Sequence, residues 1–146
     1  MRVGLSCMPS EDSIDITVLA RRCEELGFES LWAPEHPVVP VRTMTRWAHT
    51  GGPVPRWMGD QVDPFVALAM ACAVTTTLKV GTGVCLVPER NPLLLAKEVA
   101  TLDRLSGGRF LFGIGAGWLR EESEIMGADF EHRWAQTRES IMAMKE

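Results

Sequence analysis

The stretch LKVGTGVCLVPERNPLLLAKEVATLDRLSGGRFLFGIGAGW, residues 78–118, decides the fold. Val80, Val84, Leu86 and Val87 form a near-continuous apolar run, the pattern of a strand buried on both faces. Asn91-Pro92 follows, placing a capping side chain before a proline suited to the first helical position. Leu95, Val99 and Leu102 then recur at helical spacing, and Ser106-Gly107-Gly108 stops the helix. Phe110 to Gly113 is the next apolar run. Strand, helix and strand in this order make a βαβ unit, whose two strands run parallel.

Upstream, Val3 to Cys7 reads as a first strand, and Asp12 or Ser13 is placed to cap the helix after it. That helix turns Ile16, Leu19, Ala20, Cys23 and Leu26 inward and stops at Gly27. Phe28 to Ala33 is the second strand and ends in Pro34-Glu35-His36-Pro37. From Val38 to Val62 no period holds, because Pro40, Gly51, Gly52, Pro53 and Pro55 break it; a loop of that length is functional or disordered. Asp63-Pro64 opens a helix with Phe65, Leu68, Ala69 and Cys72 on one face. Beyond Trp118 a short helix ends near Gly127, and a last one carries Trp134, Arg138 and Ile141 on one side. Four strands, each followed by a helix, predict an α/β fold with a parallel sheet. That count fits half of a closed barrel or a small open doubly wound sheet.

A chain of 146 residues predicts one domain, and 46% hydrophobic residues suffice for its core. The net charge of −4 and the lack of a basic tract give no reason to expect nucleic acid or an anionic membrane as partner. No apolar run approaches the roughly 18 residues of a membrane span. The first residues, MRVGLSCMPSED, turn acidic at once and read as a strand rather than a signal peptide. Cys7, Cys23, Cys72 and Cys85 lie far apart on apolar faces with no CxxC pair, which predicts four buried free thiols and a cytoplasmic setting. His49 and His132 lack partners at ligand spacing, so no metal site is expected.

Glycine gathers where the two central strands end, at Gly81 and Gly83 and again at Gly113, Gly115 and Gly117. Ligands of parallel α/β folds sit at those carboxyl ends. Glycine there either admits a flat ligand or relieves crowding between strands, and the sequence supports both readings. GIGAGW has Trp118 where a dinucleotide fingerprint needs its third glycine, which disfavours a nicotinamide Rossmann site. Glu35-His36 is the sharpest chemical pair, since histidine exchanges protons near neutrality. Read alone, it is equally a structural histidine fixed between two prolines.

The segments SLWAPEH (30–36), DPFVALA (63–69), VGTGVCLVPERNPLLLAKEVATLDRLSGGRF (80–110) and GIGAGWLREE (113–122) resemble the luciferase-like monooxygenase superfamily. Within it they most resemble the oxidoreductases that use the deazaflavin F420, over essentially the whole chain. The resemblance implies a (β/α)8 TIM barrel, of which residues 1–146 would be a single domain holding about the first four βα units, the C-terminal half being absent. A partial chain is then expected, or one completed by another copy or a separate half, and a homo-oligomer is the favoured state. The implied activity is hydride transfer between F420 and an organic small-molecule substrate. An FMN-dependent monooxygenase on the same fold is the alternative, and a non-catalytic half-barrel binding a partner through its open edge is a third reading.

By the same resemblance His36 is the acid/base residue and Glu35 the neighbour that positions it. Gly81, Thr82, Gly83, Val84, Gly115 and Ala116 would line the cofactor, with Gly83-Val84 at the place of a non-proline cis peptide behind the ring. Trp47 and Trp118 would border the substrate. Some relatives carry a catalytic glutamate near Trp118, so a sugar-phosphate dehydrogenase is poorly supported. Arg42, Arg46 and Arg56, with Trp47 and Trp57, would form a lid that meets the anionic tail of F420, or the tryptophans would plug the open barrel. Barrel enzymes often hold phosphate after strands seven and eight, so weak cofactor binding, or none, is expected of this chain alone. Charged residues from Arg120 to Glu124, and Glu139, read as exposed helix faces.

Overall fold

The computed structural model describes residues 1–146. Strands β1 (Gly4–Ser6), β2 (Ser30–Ala33), β3 (Lys79–Thr82) and β5 (Phe110–Leu111) form one sheet in the order β1-β2-β3-β5, parallel throughout. Two further strands, β4 (Cys85–Leu86) and β6 (Ile114–Gly115), pair in parallel as a second, smaller sheet. Helices α1 (Ile16–Glu25), α2 (Pro64–Ala73) and α3 (Pro92–Leu105) alternate with the strands, and α4 (Arg120–Ile125) and α5 (Arg133–Ala143) follow. This is the expected α/β half-barrel, with β1 and β5 as its free edges. No helix is long and apolar enough to cross a membrane.

The strand expected from Val80 to Val87 is broken. A cis peptide bond at Gly83-Val84 interrupts it, and the chain resumes as β4 and then a 3-10 turn at Val87–Glu89. The neighbouring strand breaks at the same level, between β5 and β6. Thr82 spans both gaps: its hydroxyl donates to Gly113 O at 2.7 Å and accepts from Gly113 N at 3.0 Å. Val84, expected in a buried run, is left 40% exposed on the open side.

Strand alternation sorts the two faces of the sheet. Leu31, Ala33, Val80 and Phe110 pack with α1, α2 and α3 in one core. On the opposite face the Trp32 ring lies across the neighbouring strands, with its indole N–H on Ser30 Oγ at 2.9 Å. A Cβ on Gly81 would come within 2.5 Å of this ring, and one on Gly4 within 2.9 Å of its nitrogen. Crowding by Trp32 therefore accounts for Gly81, and crowding by Ser30 Oγ at 2.5 Å together with Trp32 accounts for Gly4.

Helix boundaries follow their caps. Asn91 accepts from Leu93 N and Leu94 N and so starts α3 as expected. Asp15, rather than Asp12 or Ser13, caps α1 by accepting from Thr17 N at 2.7 Å; Ser13 instead closes a turn with Ser10. Leu26 falls past the end of α1 and is exposed. On α2 the buried positions are 64, 65, 67, 68, 71 and 72, a broad face that leaves Ala69 in solvent. In α5 Thr137 and Ile141 face inward while Trp134 is exposed. Cys7 is only half-buried, unlike Cys23, Cys72 and Cys85; burial raises all four thiols, Cys7 to about 11, which disfavours thiolate chemistry.

At the amino end of the sheet, Arg109 donates to the carbonyls of Cys72, Leu78 and Ser106. Glu24 collects Thr76 N, Thr77 N and Leu78 N. Those donors, Thr77 first, hold the Glu24 carboxyl down at about 2. A depressed folded-state value gives stability that is present above the ordinary 4.5 and lost as pH falls toward 2. Acid unfolding followed by circular dichroism should therefore lose less stability over that window in Glu24→Gln than in the parent. Separately, Gly113→Ala would set a Cβ 2.1 Å from the Thr82 carbonyl oxygen, backbone against backbone. A loss of about 2 kcal/mol or more is expected in urea denaturation.

Candidate functional site

Parallel strands bring Pro34-Glu35-His36-Pro37 beside the Gly83-Val84 break, and Gly83 N donates to Ala33 O at 2.7 Å. Glu35 turns inward and is 3% exposed. It does not meet His36: one oxygen accepts from Leu86 N at 2.7 Å, the other from the Arg90 guanidinium, with Nε at 2.7 Å. Arg90 also reaches Asp63 at 2.8 Å and Glu98 at 3.2 Å and lies over the Phe65 ring. One cation thus ties the end of β2 to the start of α2 and the middle of α3.

The carboxylate that meets His36 comes from α4. His36 Nδ1 and Glu122 Oε2 are 2.7 Å apart, and the two side chains are only 7% and 0% exposed. Glu122 Oε1 also accepts from Val38 N at 3.4 Å. A carboxylate on Nδ1 fixes a proton there and leaves Nε2 to exchange one with a ligand. Trp118 stands edge-on to His36, with ring centroids 5.9 Å apart. The expectation that 120–124 is merely an exposed face therefore holds for Arg120 and Glu124, which pair in solvent, and fails for Glu122. Leu119, Glu122 and Ser123, at helical spacing, are its buried side.

The neighbouring Glu121 accepts from Met44 N and Thr45 N, anchoring the long loop. Burial pushes its carboxyl up, but the donors from Thr45 and Met44 prevail and hold it at about 2. Within that loop Trp47 packs edge-on against His49 at 5.1 Å and Trp57 at 6.1 Å. Arg56 to Asp60 form a 3-10 turn, and Ser10 and Gln61 form an antiparallel bridge.

Of the residues expected to line a cofactor, Gly83 and Val84 are exposed and Gly115 half-exposed. Gly81 lies under Trp32, Thr82 is fully buried with its hydroxyl spent on Gly113, and Ala116 is buried. These three shape the sheet and do not form its open rim. Ile114, 42% exposed, joins Val84 there. No group of three or more His, Cys, Asp and Glu side chains is disposed to hold a metal; His132 does have a carboxylate partner, Asp129, at 2.7 Å in solvent. Sequence reasoning missed Arg90 and Glu122. The available signal for Glu122 was its spacing from apolar Leu119, which marks an inward face. Arg90→Met leaves Glu35 buried without its cation, and about 3–5 kcal/mol should be lost in urea denaturation.

The family model described as luciferase-like monooxygenase matches residues 2–146. An uncharacterised protein of Mycobacterium tuberculosis is 37% identical over 148 residues, an alignment covering 99% of this chain and 52% of that protein. The F420-dependent glucose-6-phosphate dehydrogenase of Amycolatopsis mediterranei is 34% identical over 139 residues, covering 90% of this chain and 37% of the relative. Among solved structures, the monooxygenase RslO1 from Streptomyces bottropensis superposes with a TM-score of 0.75 at 28% identity, covering 99% of this chain and 42% of that one. The chain thus spans about half the length, or less, of the curated relatives it matches. With a parallel half-barrel and a family match over nearly every residue, the chain belongs to the luciferase-like monooxygenase family.

Proposed function

We propose that this chain supplies the ring-facing half of a deazaflavin-dependent oxidoreductase site, at which hydride passes between F420 and an organic substrate. The observation that carries the reading is His36, fixed through Nδ1 by buried Glu122 at the carboxyl end of the sheet. The open rim beside it fits a flat ring. Val84 and Ile114 offer exposed apolar surface, and glycines at 83 and 115 keep the backbone low. When bound, F420 supplies the hydride chemistry. His36 holds or moves a proton at Nε2 and Trp118 forms a wall, while the loop carrying Arg42, Arg46 and Trp47 excludes water. The arginines of that loop suit an anionic tail.

An FMN-dependent monooxygenase is the second reading, favoured by the likeness to the Streptomyces monooxygenase. The free edges of β1 and β5 support assembly with a second half-barrel, another copy of this chain being one source, and with it the reading as an interaction module. Fluorescence titration of the chain with F420 and, in parallel, FMN tests the proposal. Weak but saturable F420 binding, reduced by about a further tenfold in His36→Ala, is expected. Preferential FMN binding would move the assignment to the monooxygenase, and binding of neither by the folded chain would refute a ring site within these strands.

A further inference from the structure

Beneath the turn that carries Trp118 lies a carboxyl group that this reading leaves unused. Glu89 closes the Val87–Glu89 turn and is 3% exposed. Its Oε1 accepts from Ser123 Oγ at 2.6 Å, and its Oε2 is buried with no hydrogen-bond partner. Gly117, at φ +80°, packs against the pair: a Cβ there would sit 2.9 Å from Oε1 and 3.2 Å from Ser123 Oγ. The group is sealed between the strand-end turn and α4, one residue from Glu122 through Ser123.

An ionised carboxylate with an unpartnered buried oxygen is costly, and a neutral acid far less so. The surrounding charges point the same way. Arg90, on the same turn, is committed to Glu35, Asp63 and Glu98. Glu35 and His36 arrive from the turn after β2 and Glu122 from α4. From α5, packed on this turn, Arg133 is bonded to the carbonyls of Gly117 and Phe130, and Glu139 shares a groove with Arg90. With the Arg90 guanidinium taken up by Glu35, Asp63 and Glu98 and the His36 ring nitrogen by Glu122, no basic side chain donates to Glu89. Burial accordingly pushes the Glu89 carboxyl up to about 7 against the pull of Ser123, with Glu122 and Glu35 adding to the rise and His36 opposing it.

We propose that Glu89 is a third proton-carrying member of the His36 site, a neutral buried acid responsive to the charge on the His36–Glu122 pair; the proposal rests on the reading of His36 as the proton-handling residue. When His36 gives up a proton, the pair becomes net negative and Glu89 holds its own more tightly. Two uncompensated charges therefore never build up together in the buried cluster.

Titration of the Glu89 carboxyl carbon in chain labelled with 13C-glutamate tests this, the resonance being identified by its loss in Glu89→Gln. The expected midpoint is near 7. It should fall by about one pH unit in Glu122→Gln, where the neighbouring carboxyl is gone, and rise in His36→Gln, where the neighbouring imidazole is gone. A midpoint at the ordinary 4.5, or one unmoved in both variants, overturns the proposal. Stability provides a second measurement should those variants not fold. Folded Glu89 keeps a proton that the unfolded chain releases above 4.5, so its contribution is lost as pH rises toward 7. Glu89→Gln should flatten that decline, and equal slopes in parent and variant count against the idea. No cofactor is present in either measurement. Failure of F420 and FMN to bind would thus remove the functional reading alone, and an unmoved titration alongside intact binding would remove only this one.

Discussion

Buried negative charge is the constraint on which the carboxyl end of this sheet depends. Glu35, Glu89 and Glu122 are each at most 3% exposed, and each demands a separate solution. Glu35 is met by Arg90 and a backbone N–H, Glu122 by His36 and a backbone N–H, and Glu89 by a serine hydroxyl. The first solution is also structural, because Arg90 reaches Asp63 and Glu98 as well. Buried ion pairs add little net stability over apolar packing, yet removing one partner is severe. The arrangement therefore fixes geometry more than it contributes free energy.

The second constraint is the paired interruption of the two central strands. Where β3 and β5 stop, Thr82 replaces the missing ladder bonds with its hydroxyl. The chain then steps outward into β4 and β6, and Val84 and Ile114 emerge on the open side.

Local chemistry was legible in the sequence. The Asn91-Pro92 start and the Ser106-Gly107-Gly108 stop follow from nearest-neighbour preferences, and the structure reproduces them. The quoted motifs located the Gly83-Val84 bond because a family pattern, unlike a propensity, records a backbone exception. What sequence could not give was pairing at a distance. His36 and Glu122 are 86 positions apart, Glu35 and Arg90 55 apart, so adjacency in Glu35-His36 suggested the wrong partner. The glycines misled in a similar way, since nothing near Gly81 in the chain marks the Trp32 ring that covers it.

Consecutive glutamates on α4 grip different parts of the chain. Glu121 holds the backbone of Met44 and Thr45, and Glu122 holds the His36 ring and Val38 N. A helix of six residues is short enough to shift as one rigid piece. Any rotation of it about its own axis would release both grips at once. Loop and imidazole are thereby geared to one shaft, and a displacement of α4 would reach both together.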